Sequence, residues 1–216
     1  MRVEVSDSIP DADVLAFPVG PKGLPGLAQD DDAERVAEEE EVAGKAGRTA
    51  VLYPNGNAPA RRIVLVGLGP ADELDADSVR TAAAAVAGAG ERVGGTLAWI
   101  LDDSLPHSEQ ARAVVDGLLL GSYDPGRWKT GTKSEHPFER LVLVGGDDSI
   151  REGAERAATV ADGANRARDL ANTGANELTP EKLADRALEL ASQHENLTAE
   201  ALGPCLLYTS PSPRDS

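Results

Sequence analysis

Gly67-Leu68-Gly69 follows the apolar run Ile63-Val64-Leu65-Val66. A glycine turn leaving a buried strand can aim backbone N–H groups at a phosphate, which is how dinucleotides are held. That chemistry needs a third glycine three residues on, for close packing of the next helix, and Asp72 stands there. Pro70 also lacks the N–H that such a loop would donate. Gly145-Gly146-Asp147-Asp148 ends a second apolar run, Leu141-Val142-Leu143-Val144, and its two acids would repel a phosphate. Both segments are expected to be turns.

The other residue types with chemical reach do not gather either. His107, His136 and His194 lie far apart, and none has a second histidine two to five positions away. A zinc-protease pair or a zinc-finger ligand set needs that spacing. Asp102-Asp103 is one carboxylate pair among many in an acidic chain, and Ser122 lacks the glycines that flank a nucleophile elbow. No Walker A loop occurs. Between Met1 and Pro204, therefore, no catalytic, cofactor-binding or metal-ligating residue is assigned.

The elements that would have to position any site are clearer. Short β-branched or apolar runs bounded by Gly, Pro or Asp predict strands over Arg2–Ser6, Asp13–Pro18, Thr49–Tyr53, Arg62–Gly67, Thr96–Leu101 and Arg140–Gly145. Two of these runs are apolar throughout, as strands buried on both faces must be. Between them, Ala76–Ala89 is Ala-rich and follows Asp75, a candidate N-cap. Ser108 is a candidate cap for a helix in which Ala111, Val114, Val115, Leu118 and Leu119 recur at helical spacing. A weaker helix is expected from Asp31 to Val42. Strands alternating with helices argue for an α/β layered domain over residues 1–147.

A longer helix, about Ser149 to Leu170, carries Ala154, Ala157, Ala161, Ala164 and Ala167 on one face. It reads as a connector over 148–171. After Asn172-Thr173-Gly174-Ala175-Asn176, Thr179 can cap a further helix with Pro180 at its first position, where a missing N–H costs nothing. Leu183, Ala187 and Leu190 come next. Leu197, Ala199 and Ala201 alternate with polar residues and predict a strand. Residues 172–204 thus read as the opening of a second domain.

Composition narrows the partners. Of 216 residues, 37 are acidic and 21 basic, for a net charge of −16. Such a field repels phosphate backbones and anionic lipid, so neither nucleic acid nor membrane is expected as a partner. Asp30-Asp31-Asp32 and the run Glu38 to Glu41 read as solvated surface. The start, Met1-Arg2-Val3-Glu4-Val5, lacks the apolar stretch of a signal peptide, so a cytoplasmic location is expected. Cys205 is the sole cysteine. It opens a segment, 205–216, whose Ser/Pro alternation is unlike the rest and resembles a translated sequencing adapter. On that reading native sequence stops near Pro204 and the product is truncated.

Three stretches together resemble the leucyl aminopeptidase (cytosol aminopeptidase) family of dinuclear metallopeptidases. The first is Gly44-Lys45-Ala46-Gly47 with Arg61-Arg62-Ile63-Val64-Leu65-Val66-Gly67-Leu68-Gly69. The second runs from Gly117 through Gly121-Ser122-Tyr123 to Arg127-Trp128-Lys129-Thr130. The third is Ala167-Arg168-Asp169-Leu170-Ala171-Asn172-Thr173 through Asn176-Glu177-Leu178-Thr179-Pro180. Gly174-Ala175 departs from the prolines common there. The resemblance implies a macro-domain-like mixed sheet flanked by helices, a connecting helix, and the start of an α/β catalytic domain. It also implies metal-dependent release of amino-terminal residues from peptides by a homo-hexamer. Two divalent metals, manganese or zinc, would be held by Lys, Asp and Glu in motifs of the GKGxxFDxGG and NTDAEGR kind. Neither motif occurs here, so no such residue carries over and this piece is expected to be inactive alone, serving assembly and access. The alternative is a free-standing macro-like domain that binds a nucleotide or an ADP-ribose-like ligand.

Overall fold

The two wholly apolar runs lie inside a six-stranded sheet, where burial on both faces demands them. The computed structural model describes residues 1–21, 23–24, 31–54, 60–90, 93–125, 138–146 and 149–203. The strands are β1 (Arg2–Ser6), β2 (Ala12–Val19), β3 (Thr49–Leu52), β4 (Ala60–Gly67), β5 (Gly95–Ile100) and β6 (Phe138–Val144). The helices are α1 (Asp31–Glu39), α2 (Ala76–Gly90), α3 (His107–Gly121), α4 (Ser149–Asn172) and α5 (Pro180–Ser192). Strand order is β1-β6-β5-β2-β4-β3. All neighbours run parallel except β3, which pairs antiparallel with β4. The mixed α/β sheet expected from the sequence is the architecture found, with strand ends moved by one or two residues.

Period-two alternation divides the strand side chains between two cores. Val14, Ala16, Val64, Val66, Leu97, Trp99, Leu141 and Leu143 face a core shared with α2, α3 and the first half of α4. Leu15, Phe17, Leu65, Ala98, Ile100, Val142 and Val144 face the other, shared with Ala33 and Ala37 of α1 and with Val42. The acidic run of α1 stays out of this packing. Asp32, Glu34 and Glu38 to Glu41 are exposed, as a solvated face should be.

Small residues set how closely the first layer packs. A Cβ on Gly117 would sit 2.3 Å from the Arg80 carbonyl oxygen, and one on Gly121 would sit 2.7 Å from Ala84 Cα. The second stretch of the family resemblance is therefore the seam along which α3 lies against α2. Asp75 caps α2 as its type suggests: its Oδ1 accepts the Ser78 N–H at 2.8 Å, and Ser78 Oγ accepts the Asp75 N–H in return.

Two expectations fail. Ser108 does not cap α3; the helix starts at His107 and has no side-chain cap. Pro106 fixes the entry instead, its carbonyl accepting from the Glu109 and Gln110 N–H groups. The strand expected at Leu197–Ala201 is not formed. Leu197 donates its N–H to the His194 carbonyl in a turn, and a strand needs a neighbour for its backbone groups.

The chain separates into two compact units, Met1–Ala167 and Arg168–Ser216. In the first, Ile150, Ala154, Ala157 and Ala161 of α4 are buried. In the second, Thr179 caps α5 by accepting the Lys182 N–H, and Pro180 opens the helix. Glu181 accepts its own backbone N–H and then the Thr179 hydroxyl, which holds its carboxyl below the usual range. No residue of α5 is buried.

The seam gives a paired test. Gly117→Ala should lower stability by about 1–3 kcal/mol, because the added carbon meets backbone. Gly88→Ala on α2 meets open space and should raise stability by about 0.5–1 kcal/mol. Urea unfolding of the two variants reads both signs.

Candidate functional site

In open α/β sheets, ligands bind beyond the carboxyl ends of strands, where the chain's progress across the sheet reverses. Here that place lies between β2 and β5: the chain passes from β2 out to the edge strand β3, comes back to β4 beside β2, and then lays β5 on the other side of β2. The loops there carry Gly20, Gly67-Leu68-Gly69 and Asp102.

The first two N–H groups of the Gly67 loop are already engaged by backbone carbonyls. Gly67 donates its N–H to the Arg48 carbonyl at 2.8 Å, Leu68 donates to the Val19 carbonyl at 3.0 Å, and the Gly47 N–H returns to the Gly67 carbonyl at 2.9 Å. A Cβ on Gly67 would sit 1.9 Å from the Val42 carbonyl oxygen and 2.5 Å from that of Lys45. Gly67 is a glycine because a neighbouring turn is pressed against it. The two halves of the first resembling stretch, Gly44–Gly47 and Gly67–Gly69, thus fold against each other. Gly145 likewise donates its N–H to the Ser6 carbonyl. Gly67 closes β4 and Gly145 forms a bend after β6; Asp147 and Asp148 lie outside the described residues.

Beside that loop stands a polar cluster that the sequence did not announce. Gln110 is 1% exposed, on the buried side of α3. Its Oε1 accepts the Asp102 N–H at 3.1 Å, and its Nε2 donates to Asp102 Oδ1 at 2.8 Å and to the Asp102 carbonyl at 3.2 Å. Ser104 gives both its hydroxyl and its N–H to the same Oδ1. Buried polar groups must be satisfied in this way. One signal could have found it: a glutamine in register with the apolar positions of α3 needs a partner. Chemically the cluster locks the turn after β5. It presents a carboxylate toward Gly20 and would repel phosphate.

The remaining candidates stay apart. Ser122 is the C-cap of α3, its hydroxyl donating to the Leu119 carbonyl at 3.5 Å. His107 lies on the surface 4.0 Å from Asp103, and His194 is exposed in the second unit. His136 and Cys205 lie outside the described residues. Among the described residues no three His, Cys, Asp or Glu side chains are placed to hold a metal ion. Their donor sets therefore do not fit a dinuclear centre.

Similarity to known proteins decides what the fold belongs to. Residues 28–132 match the model of the cytosol aminopeptidase family, N-terminal domain. A probable cytosol aminopeptidase of Roseiflexus castenholzii is 40% identical over 171 residues, 75% of this chain and 35% of that protein. Residues 28–132 are an amino-terminal domain of the cytosol aminopeptidase family. A second probable cytosol aminopeptidase, from Solibacter usitatus, is 34% identical over 71% of this chain and 32% of its own length. The chain thus spans about a third of the curated relatives it matches. Among solved structures, the bottromycin maturation enzyme BotP aligns with a TM-score of 0.67 at 29% identity, over 84% of this chain and 37% of BotP. A tomato leucine aminopeptidase variant aligns with a TM-score of 0.71 at 23% identity, over 91% of this chain and 43% of its own, and shares the fold. Two of the three resembling stretches, the turn pair and the α3 seam, begin inside the matched domain.

The Gln110 cluster can be tested directly. Gln110→Ala leaves the Asp102 N–H without its acceptor and should cost about 1–3 kcal/mol in urea unfolding. An unchanged midpoint would show that the turn after β5 holds without it.

Proposed function

We propose that this chain is the amino-terminal part of a leucyl aminopeptidase, a metal-dependent enzyme that removes amino-terminal residues from peptides, and that this part serves assembly and access. The match of residues 28–132 to the family's amino-terminal domain carries the reading. The chain's span of about a third of its curated relatives supports a piece of a longer protein. The division within it accords with the sequence: an amino-terminal domain over 1–147, a connecting helix over 148–171, and the opening of the catalytic domain over 172–204, with 205–216 a non-native tail.

The described residues do not fit a dinuclear metal centre, so no catalytic step is assigned to them. Manganese or zinc, the peptide substrate and a homo-hexameric assembly belong to the intact enzyme on this reading. A cytoplasmic location accords with the relatives' names. No helix among the described residues is long and apolar enough to cross a membrane.

Helix α5 supports the idea of an opened domain. Its apolar side includes Leu183, 49% exposed, with Leu188 and Leu190, each 41% exposed, and apolar surface of that kind ordinarily lies under a neighbouring element.

The purified chain should not turn over a leucine anilide, with manganese or with zinc, while a chain of the relatives' full length should. Turnover by the 216-residue chain itself would end the reading. Deleting the segment equivalent to 1–147 from the longer enzyme should change oligomer size or peptide selectivity, as size-exclusion chromatography and a peptide panel would show.

A further inference from the structure

We propose that Asn165 ties the part of α4 that lies in the first unit to α3, acting as a cap supplied across space to the end of α3. Every α-helix ends with carbonyls that have no partner inside it. At the end of α3 the Leu118 carbonyl accepts the Ser122 N–H at 2.9 Å. The next one, Leu119, accepts the Ser122 hydroxyl at 3.5 Å and, at the shorter distance of 2.9 Å, the Asn165 side-chain N–H, from a residue 46 positions further along. A distant helix thereby completes the termination of α3.

The pattern along α4 explains why an amide stands there. Ile150, Ala154, Ala157 and Ala161 are spaced by four, three and four residues, and all are buried. The next positions on that side, Ala164 and Asn165, are half-buried, and Arg166 through Asp169 are exposed. Up to Ala161 the neighbour is apolar and alanine suffices. At Asn165 the neighbour is the polar end of α3, and only a donor satisfies it. The compact unit ends two residues later, at Ala167.

A polar contact at the margin of a packed unit is weaker than the burial behind it, so it should release before the core does. When it opens, two segments lose support together: the last turn of α3, which carries Gly117–Gly121, and α4 from Ala158 onward. The bond thus couples the α3 seam to α4 within the first unit. Asn165 is a positioning residue, and its effect should be confined to those two segments.

Hydrogen exchange of the full 216-residue chain, read by mass spectrometry, tests this. Asn165→Asp keeps the side chain's shape and removes the donor; Asn165→Ala removes the group. Both should speed exchange, on the order of fivefold, in 158–169 and in 119–124 at once, while β2 and β5 keep the protection of the unaltered chain. Val160→Ala, at a position 62% exposed on the same helix, should change neither segment. Faster exchange in only one segment, no change in either, or an equal rise in β2 and β5 would overturn the proposal. So would the same effect from Val160→Ala. If Asn165→Asp disturbs the whole chain through its charge, Asn165→Ala decides alone.

Discussion

A sheet packed on both faces leaves little room where other backbone approaches it, and most of this structure derives from that constraint. At Gly67 a carbonyl of the adjoining turn occupies the space a side chain would take, and at Gly117 the backbone of α2 does the same. These glycines are set by proximity, with no ligand needed to explain them. The first family-like stretch is a turn pressed against a strand end; the second is a helix seam.

That constraint also explains why the most suggestive motif is misleading as chemistry and informative as structure. Gly67-Leu68-Gly69 stands where α/β proteins bind phosphates, at the reversal of strand order. Yet its N–H groups go to the carbonyls of Arg48 and Val19. The neighbouring carboxylate of Asp102 is held in place by Gln110 and Ser104. A loop whose first two donors are already taken by backbone carbonyls, with a carboxylate nearby, fastens the fold.

The inner strands β4 and β6 are legible in the sequence because their ends are buried on both faces, which forces unbroken apolar runs such as Leu141 to Val144. Helix α2 is legible from its alanines and Asp75, and α5 from Thr179 and Pro180. Three features are harder to read. Ser108 has the right type for a cap, but Pro106, two residues earlier, already sets the helix entry. Leu197 to Ala201 alternate as a strand would, yet alternation makes a strand only where a partner accepts the hydrogen bonds. Gln110 and Asn165 act through residues 8 and 46 positions away, Asp102 and Leu119. No local pattern announces the second of these distances.

The central claim is that residues 1–167 make a complete two-core α/β unit whose stability does not depend on residues 168–216. Urea unfolding of residues 1–167 alone, monitored at once by far-ultraviolet circular dichroism and by tryptophan fluorescence, to which buried Trp99 contributes, measures this most directly. One coincident transition, at the midpoint shown by the same signals in the 216-residue chain, is the predicted result. Separated transitions, or a midpoint well below that of the longer chain, would contradict it.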